Sequence, residues 1–182
     1  MAKFRIWTIV IGNYCYIYII LGTPGVGKST IAKRVAELSG LELVNISEVA
    51  KQHDCFEEYD EQYECQVLDE DKLLDVLDPK ISQKGFIVEY HSSELFPERW
   101  FDAVFVLRCD TKTLYDRLAS RNYNQKKIQD NVQCEIFQTI LEEAKESYKE
   151  DIVFELQNNE ELEVEKNSTF IIDWMKEWKR KV

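Results

Sequence analysis

The sequence is short of positive charge: 23 lysines and arginines stand against 34 aspartates and glutamates, a net charge of -11 over 182 residues. This balance excludes broad, non-specific binding to nucleic acid, which needs basic groups to neutralise phosphates. It leaves open a basic protein partner, or an RNA surface reached through such a partner. The length suits one domain of ordinary size with a real core.

The spacing needed for a disulfide framework or a zinc site is also missing. No two cysteines are spaced as C-x-x-C, and their number is odd. We therefore expect free, mostly buried thiols in a reducing compartment. The five are Cys15, Cys55, Cys65, Cys109 and Cys134.

A long uninterrupted apolar run is absent as well. Gly12 and Asn13 interrupt the apolar stretch at 6–21, which is shorter than the roughly 20 residues of a membrane-spanning helix. We expect no membrane span. Residues 16–21 (YIYIIL) have the composition of a buried strand, so residues 1–15 are interpreted as an N-terminal extension. Its role stays open between an edge strand, a disordered arm, an unreliable start site and a targeting or membrane-contacting segment.

Strand and helix patterns alternate over residues 16–182. This predicts one α/β domain of the P-loop NTPase fold, with a five-stranded parallel sheet and helices on both faces. Strands are expected at 16–21, 41–46, 85–90, 103–107 and 152–156. Helices are expected at 27–39, 47–53 (capped by Ser47), 69–77, 111–120, 124–148 and 168–180. Ligands of such sheets bind at the carboxyl ends of the strands.

A phosphate-binding motif lies between the first strand and the first helix. Residues 22–29 read GTPGVGKS and match G-x-x-x-x-G-K-[ST] in the structural context that the motif requires. The glycines let backbone N–H groups point inward at an anion, and the helix N-terminus adds partial positive charge. We expect ATP at residues 22–30. Lys28 would contact the β- and γ-phosphates, Ser29 would ligate Mg²⁺, and Thr30 would hold the α-phosphate.

The class of P-loop enzyme follows from two missing motifs and one present cluster. The sequence has neither N-K-x-D nor D-x-x-G, which argues against a GTPase, while the length fits nucleotide and small-metabolite kinases. Such kinases need a cationic lid that neutralises the transferring phosphoryl group. Arg117 and Arg121, followed by a polar turn with Lys126 and Lys127, form a candidate lid. The alternative is a solvated basic helix end.

Other candidate site residues lie at a strand end and around an acidic segment. Glu89 could hold a Mg²⁺-bound water, and His91 could orient a group or relay a proton, although a structural histidine is the alternative. Residues 54–71 contain no lysine or arginine, so an acceptor phosphate would need Lys51 or Arg99. The alternative is an acidic surface that docks a basic partner.

Several separate segments resemble the adenylate kinase isoenzyme six family, also called coilin-interacting nuclear ATPases, over roughly residues 16–180. They are GTPGVGKST (22–30), YDEQYECQVLDED (59–71), FPERWF (96–101), RNYNQKK (121–127) and DNVQCEIFQ (130–138). The resemblance implies a P-loop kinase core with an acceptor-nucleotide arm at about 45–68 and a lid at about 120–130. Carried over by position, the ATP-binding residues are Gly25, Gly27, Lys28, Ser29, Thr30 and Arg121, with Arg117 beside Arg121.

The resemblance also implies activities and partners. It implies a nucleoside monophosphate kinase that uses ATP with Mg²⁺ and prefers AMP, together with ATPase activity. We expect the protein to be a monomer. The resemblance further implies a role in ribosome biogenesis and rRNA processing. That role is maturation of the small ribosomal subunit through a basic small-subunit ribosomal protein and the pre-ribosome, in the nucleus and cytoplasm.

Three positions depart from the family pattern. The family has Asp-x-His where this chain has Glu89-Tyr90-His91, and the extra methylene displaces the carboxylate outward. The family often has Arg where Lys51 stands, which keeps the charge but loses the bidentate fork. Residues 1–14 have no family counterpart.

The predicted reaction is ATP + AMP to 2 ADP. The alternatives are a ribosome-assembly ATPase that docks a basic ribosomal protein, with incidental kinase activity, and a kinase for another small metabolite.

Overall fold

The computed structural model describes residues 16–81 and 85–178. The strands are β1 (Ile17–Leu21), β2 (Glu42–Asn45), β3 (Phe56–Asp60), β4 (Cys65–Leu68), β5 (Phe86–Glu89), β6 (Ala103–Arg108) and β7 (Val153–Gln157). The α-helices are α1 (Lys28–Ser39), α2 (Ile46–Gln52), α3 (Glu70–Ile81), α4 (Thr111–Ser120), α5 (Gln125–Ile136), α6 (Thr139–Ser147) and α7 (Glu161–Trp178). Short 3₁₀ turns, Glu98–Trp100 and Glu150–Ile152, precede β6 and β7.

Five strands form one parallel sheet in the order β2-β5-β1-β6-β7. Strand β1 lies at the centre and all five of its residues are buried, as its β-branched and aromatic composition predicts. The phosphate-binding loop therefore leaves the middle of the sheet at the carboxyl end of β1. The predicted α/β class and five-stranded sheet are confirmed.

Helices cover both faces of this sheet. Alternate residues of β1 point to opposite sides: Ile19 belongs to one buried cluster and Ile20 to the other. Helices α2, α3 and α6 pack on the first face through Ile46, Leu73 and Leu141. Helices α1, α4 and α7 pack on the second through Ile31, Leu114 and Ile171. Two covered faces hold the central strand rigidly beneath the loop.

The predicted long helix at 124–148 is wrong. The structure has two helices, α5 and α6, separated at Phe137 and Gln138. Gln138 takes a left-handed backbone with φ of 58°, which ends one helix and starts the next. Phe137, which lies at this break, is 73% exposed.

Two helix starts and one segment also differ from expectation. Ser47 is not the cap of α2, because the side-chain oxygen of Asn45 accepts the N–H of Glu48 at 3.0 Å. Helix α7 begins at Glu161 rather than at 168. The acidic segment 54–71, in which we expected no strand, contains the antiparallel hairpin β3–β4. We call residues 56–68 the acidic hairpin.

The cysteines and the question of a membrane span can be examined within the described ranges. Cys55 and Cys109 are buried, Cys134 is half-buried and Cys65 is exposed, and all four are free thiols. No helix in residues 16–81 or 85–178 has the length and apolar character to cross a bilayer. Cys15 and the predicted extension at 1–15 lie outside the described residues.

Candidate active site

A cleft of about 270 Å³ opens at the carboxyl edge of the sheet, where β1 and β5 end. Parallel sheets with covered faces bind ligands at this edge. Its lining comes from four segments: the phosphate-binding loop, the start of α2, the end of β5 and the lid turn (residues 121–124). The lining residues are Pro24, Gly25, Gly27, Lys28, Ser29, Thr30, Asn45, Ser47, Glu89, Tyr90, His91, Arg121 and Tyr123.

The backbone of the phosphate-binding loop depends on glycine at position 27. Gly27 is the N-terminal cap of α1 and has φ of 101°, in the left-handed region. A β-carbon there would collide with the side-chain amide of Asn158. That amide is buried and donates a hydrogen bond of 2.7 Å to the carbonyl of Val26. The turn into α1 is therefore fixed both by its own conformation and by the loop that follows β7.

Lys28 is the central cation of the cleft. Its side chain is only 9% exposed. Its Nζ donates to the carbonyl oxygens of Gly22 at 2.7 Å and Thr23 at 3.1 Å. Desolvation lowers the pKa of Lys28 to about 8, with Arg121 contributing, while Glu89 and Glu135 oppose the shift. A nearly dry ammonium held by neutral carbonyls is well placed to bind an anion.

Ser29, Glu89 and Asn45 form a hydrogen-bonded chain across the floor of the cleft. The Ser29 hydroxyl donates to Glu89 Oε1 at 2.5 Å, and Asn45 Nδ2 donates to Glu89 Oε2 at 2.7 Å. Because both carboxylate oxygens accept hydrogen bonds, the Glu89 side chain is held in one orientation, although it is longer than the aspartate of the family pattern. Hydroxyl and carboxylate oxygens are the ligands that Mg²⁺ prefers, so this pair fits the predicted ion.

His91 lies at the mouth of the cleft, with its ring 4.2 Å from that of Tyr90. Desolvation of the ring and, after it, the charge of Lys28 lower the pKa of His91. The imidazole is therefore neutral at pH 7. In that form it can donate one hydrogen bond and accept another, but it supplies no positive charge.

The two candidate lid arginines take different positions. Arg121 lines the cleft. Arg117 does not line it; its guanidinium donates to the carbonyls of Asn158 at 3.0 Å and Asn159 at 2.8 Å, with a longer contact of 3.5 Å to Gly25. Arg117 thus supports the back of the phosphate-binding loop. Of the pair, only Arg121 is placed to meet a phosphate in this conformation.

Lys126 and Lys127, the other candidate lid cations, contact the acidic hairpin instead of the cleft. Lys127 Nζ donates to the carbonyl of Tyr63 at 3.0 Å, and the Tyr63 hydroxyl donates to Asp130 Oδ2 at 2.9 Å. Lys126 pairs with the same carboxylate at 3.0 Å. We call the Tyr63–Asp130 and Lys127–Tyr63 contacts the hairpin latch. It ties the hairpin to α5.

The structure does not bring Lys51 or Arg99 into the cleft. Lys51 is exposed near the end of α2. Arg99 lines a separate pocket with Asp102, whose carboxylate accepts the N–H of Ile17 at the opposite end of β1. The five residues of β1 put these two edges roughly 17 Å apart. Their assignment to the acceptor phosphate stays a prediction that the geometry of the cleft does not support.

Sequence reasoning missed Asn45, Asn158, Thr23 and Glu135. Each acts through a contact between segments that are distant in the chain: Asn158 contacts Val26 and Glu135 contacts Thr23. No local pattern reveals such pairs. Asn45 had one usable signal, its position at the carboxyl end of a predicted strand, where ligand-binding residues gather.

The sequence is similar to those of known proteins over most of its length. A family profile described as an AAA domain matches residues 19–138. A Drosophila melanogaster protein named adenylate kinase isoenzyme 6 homolog is 51% identical over 163 residues, covering 90% of this chain and 93% of that protein. Its namesake from Caenorhabditis elegans is 49% identical over 163 residues, covering 88% and 90%. The chain belongs to the adenylate kinase isoenzyme 6 family. The family resemblance stated from the sequence motifs is confirmed.

Comparison with a solved structure shows which fold this member of the adenylate kinase isoenzyme 6 family has. Shikimate kinase from Acinetobacter baumannii, in complex with shikimate, superimposes with a TM-score of 0.63 at 15% identity, covering 90% of this chain and 94% of that one. At that identity the likeness shows the fold alone. It is the P-loop kinase fold, with the cleft at the carboxyl edge of the sheet.

Proposed function

We propose that this protein is a nucleoside monophosphate kinase that transfers the γ-phosphoryl group of ATP to AMP, giving two ADP. The observation that carries the proposal is the convergence of Lys28, Ser29, Glu89 and Arg121 on one cleft. The names of the adenylate kinase isoenzyme 6 relatives support the class of reaction.

Each group has a part in binding the donor. Backbone N–H groups at the start of α1 and the Lys28 ammonium bind the triphosphate. Arg121 closes over the transferring phosphoryl group from the lid turn, where its charge neutralises the equatorial oxygens. The acceptor phosphate is already an anionic nucleophile, so no residue has to act as general base. The chain's work is to align the two phosphates and to exclude water.

Mg²⁺ would be held by the Ser29 hydroxyl, with Glu89 binding one of its water ligands. When bound, the ion neutralises charge on the β- and γ-phosphates. Glu89 keeps the Ser29 hydroxyl oriented and is itself fixed by Asn45. His91, neutral at pH 7, can hydrogen-bond the acceptor or a bound water without adding charge.

A second candidate function is an ATPase of ribosome assembly whose acidic hairpin docks a basic small-subunit ribosomal protein, in the nucleus and cytoplasm. The observation that favours it is the exposed carboxylates of Glu57, Glu58, Glu61 and Glu64, in a segment without lysine or arginine. An acidic surface steers basic partners and repels an acceptor phosphate. Neither Lys51 nor Arg99 offsets this repulsion inside the cleft.

The test is a panel of ATP with each nucleoside monophosphate, followed by ADP formation. We expect AMP to be the best acceptor. Lys28→Met should lower turnover by about 100- to 1,000-fold, the loss typical of removing a group that stabilises transition-state charge. Lys33→Met, on the exposed side of the same helix, is the matched control and should stay within about twofold of the unchanged protein because surface charges act weakly.

A thermal-shift experiment separates the two functions. A ligand at a hundred times its dissociation constant stabilises the fold by about 2.7 kcal/mol. If millimolar AMP gives no shift while a basic peptide does, the kinase proposal fails and the docking ATPase remains. A shift with AMP, together with ADP formation, would establish the kinase.

A further inference from the structure

A buried carboxylate lies behind the phosphate-binding loop and has no part in the proposed chemistry. Glu135, in the last turn of α5, is only 2% exposed. A carboxylate removed from water persists as a charge only where hydrogen bonds and a counter-charge compensate it. Its partners therefore indicate what it is for.

One oxygen of this carboxylate reaches the phosphate-binding loop. The hydroxyl of Thr23 donates to Glu135 Oε2 at 2.7 Å, and Thr23 is 1% exposed. The carbonyl of the same Thr23 accepts from Lys28 Nζ at 3.1 Å. One loop residue thus connects the Glu135 carboxylate to the ammonium that would bind the triphosphate.

The other oxygen is fixed by β6. Glu135 Oε1 accepts from Arg108 Nε and from the N–H of Cys109, the latter at 3.3 Å. Arg108 also donates to the main-chain carbonyl of Glu135 at 3.0 Å. Because the sheet holds the carboxylate at Oε1, Oε2 is aimed at Thr23 in a single orientation.

Because Glu135 lies on α5, its contact with the phosphate-binding loop is also connected to the lid turn. Helix α5 starts immediately after the lid turn, which carries Arg121, and runs 12 residues to the loop. A helix of that length is a rigid rod of about 18 Å. We therefore expect a displacement of the lid turn to move Glu135.

We propose that Glu135 is a positioning residue through which lid helix α5 and the phosphate-binding loop adjust to each other, acting by way of the Thr23 hydroxyl on Lys28. The inference rests on the proposed use of ATP, but not on AMP as acceptor. The simpler possibility is that Glu135 only neutralises buried Arg108.

Thr23 separates these two roles. Thr23→Val has nearly the same shape and removes only the hydroxyl, leaving the Glu135–Arg108 pair in place. Thr23→Ser keeps the hydroxyl and should restore the behaviour of the unchanged protein. Glu135→Gln removes the charge, and Glu142→Gln removes a carboxylate from the exposed face of the next helix as its control.

The experiment measures two quantities for these variants and for the Thr23→Val/Glu135→Gln double variant. One is the dissociation constant for ATP with Mg²⁺. The other is the slowing of amide hydrogen exchange in residues 121–128 when ATP binds. No acceptor is present, so a failure to phosphorylate AMP leaves the test intact. Circular dichroism checks folding, and if Glu135→Gln does not fold, the Thr23 pair decides.

We expect Thr23→Val and Glu135→Gln each to weaken ATP binding by about 10- to 100-fold, the size of a lost hydrogen bond to a charged group. The double variant should be no weaker than the worse single variant, because both break one connection. ATP should slow exchange in residues 121–128 less in Thr23→Val than in Thr23→Ser. The proposal is overturned if Thr23→Val matches Thr23→Ser in both quantities, or if the two penalties multiply.

Discussion

Helix α5 touches the phosphate-binding loop at one end and the acidic hairpin nearer the other, and the two contacts differ in burial. At Glu135 the partners Thr23 and Cys109 are closed off from water. At Asp130, by contrast, the side chain is 34% exposed and its hydrogen bond from the Tyr63 hydroxyl is only part-buried. The phosphate-binding loop is built as part of the core, and the acidic hairpin is attached from outside.

This difference has a physical consequence. Buried hydrogen bonds to charged groups are strong and leave costly unpaired groups when broken, so the loop keeps its shape without ligand. The hairpin latch consists of two hydrogen bonds that are only part-buried, so it can open at a lower cost than the contacts of Glu135. We infer that the phosphate-binding loop is preformed and that the acidic hairpin moves.

Among the substitutions that test the contrast between loop and hairpin, the largest effect is expected from Gly27→Ala in the phosphate-binding loop. Alanine at this φ is strained by roughly 1–2 kcal/mol, and its β-carbon displaces the Asn158 amide from Val26. We expect ATP binding to weaken by about 100-fold as the turn shifts. Titration calorimetry would measure this.

Gly40→Ala is the matched control for that variant. Gly40 has φ of 73°, but no atom lies within 4 Å of the position its β-carbon would take. It carries the backbone strain without the clash, so it should lower the melting temperature and leave ATP affinity unchanged. Equal loss of affinity in both variants would mean that the loop is not preformed.

The next effect concerns pH and the same side of the cleft. The pKa of Lys28 is about 8 without ligand, and a bound triphosphate raises it because its negative charge favours the ammonium. ATP binding above this pH therefore takes up a proton. In excess EDTA, we expect the affinity for ATP to fall by nearly tenfold per pH unit once the pH exceeds the pKa that Lys28 has in the ligand-free protein. An ATP affinity that does not change from pH 7 to 10 would contradict the desolvation of Lys28.

A smaller effect is expected from Tyr63→Phe, which removes the hydroxyl that bonds Asp130. Amide exchange in the acidic hairpin should accelerate by about two- to fivefold, since one part-buried hydrogen bond of modest net strength is lost. ATP affinity should not change. Tyr59→Phe, whose ring is exposed on β3, is the control and should alter neither quantity. A change of ATP affinity in Tyr63→Phe would contradict the contrast between the phosphate-binding loop and the acidic hairpin.

The smallest effect is expected from Arg99→Ala. The sequence suggested Arg99 as a ligand of the acceptor phosphate, but it lies at the opposite edge of the sheet from Lys28. We expect the KM for AMP to remain within about twofold, as for other substitutions far from a site. A tenfold rise would restore the sequence-based assignment and place an acceptor site away from the cleft.

The sequence revealed what is encoded locally. Residues 22–29 form a contiguous motif whose glycines, lysine and serine have fixed roles, so the loop and its flanking strand and helix were predictable. Arg121, Glu89 and His91 were found because lid arginines follow a helix and ligand residues follow strands. All three line the cleft.

What the sequence did not reveal depends on tertiary contacts. The break at Gln138 involves neither glycine nor proline, so a continuous helix at 124–148 was the natural expectation. Thr23 and Glu135 are 112 residues apart, and nothing near either one points to the other. The guanidinium of Arg117 faces backbone carbonyls because the loop after β7 lies there, which no helical pattern shows.

The most direct test of the account is a titration of the purified protein with ATP and Mg²⁺, alongside Lys28→Met. The preformed cradle around Lys28 predicts saturable binding of one nucleotide per chain to the unchanged protein and a loss of at least about 100-fold in the variant. If the unchanged protein binds no nucleoside triphosphate, or if Lys28→Met binds ATP equally well, the cleft at residues 22–30 is not a nucleotide site.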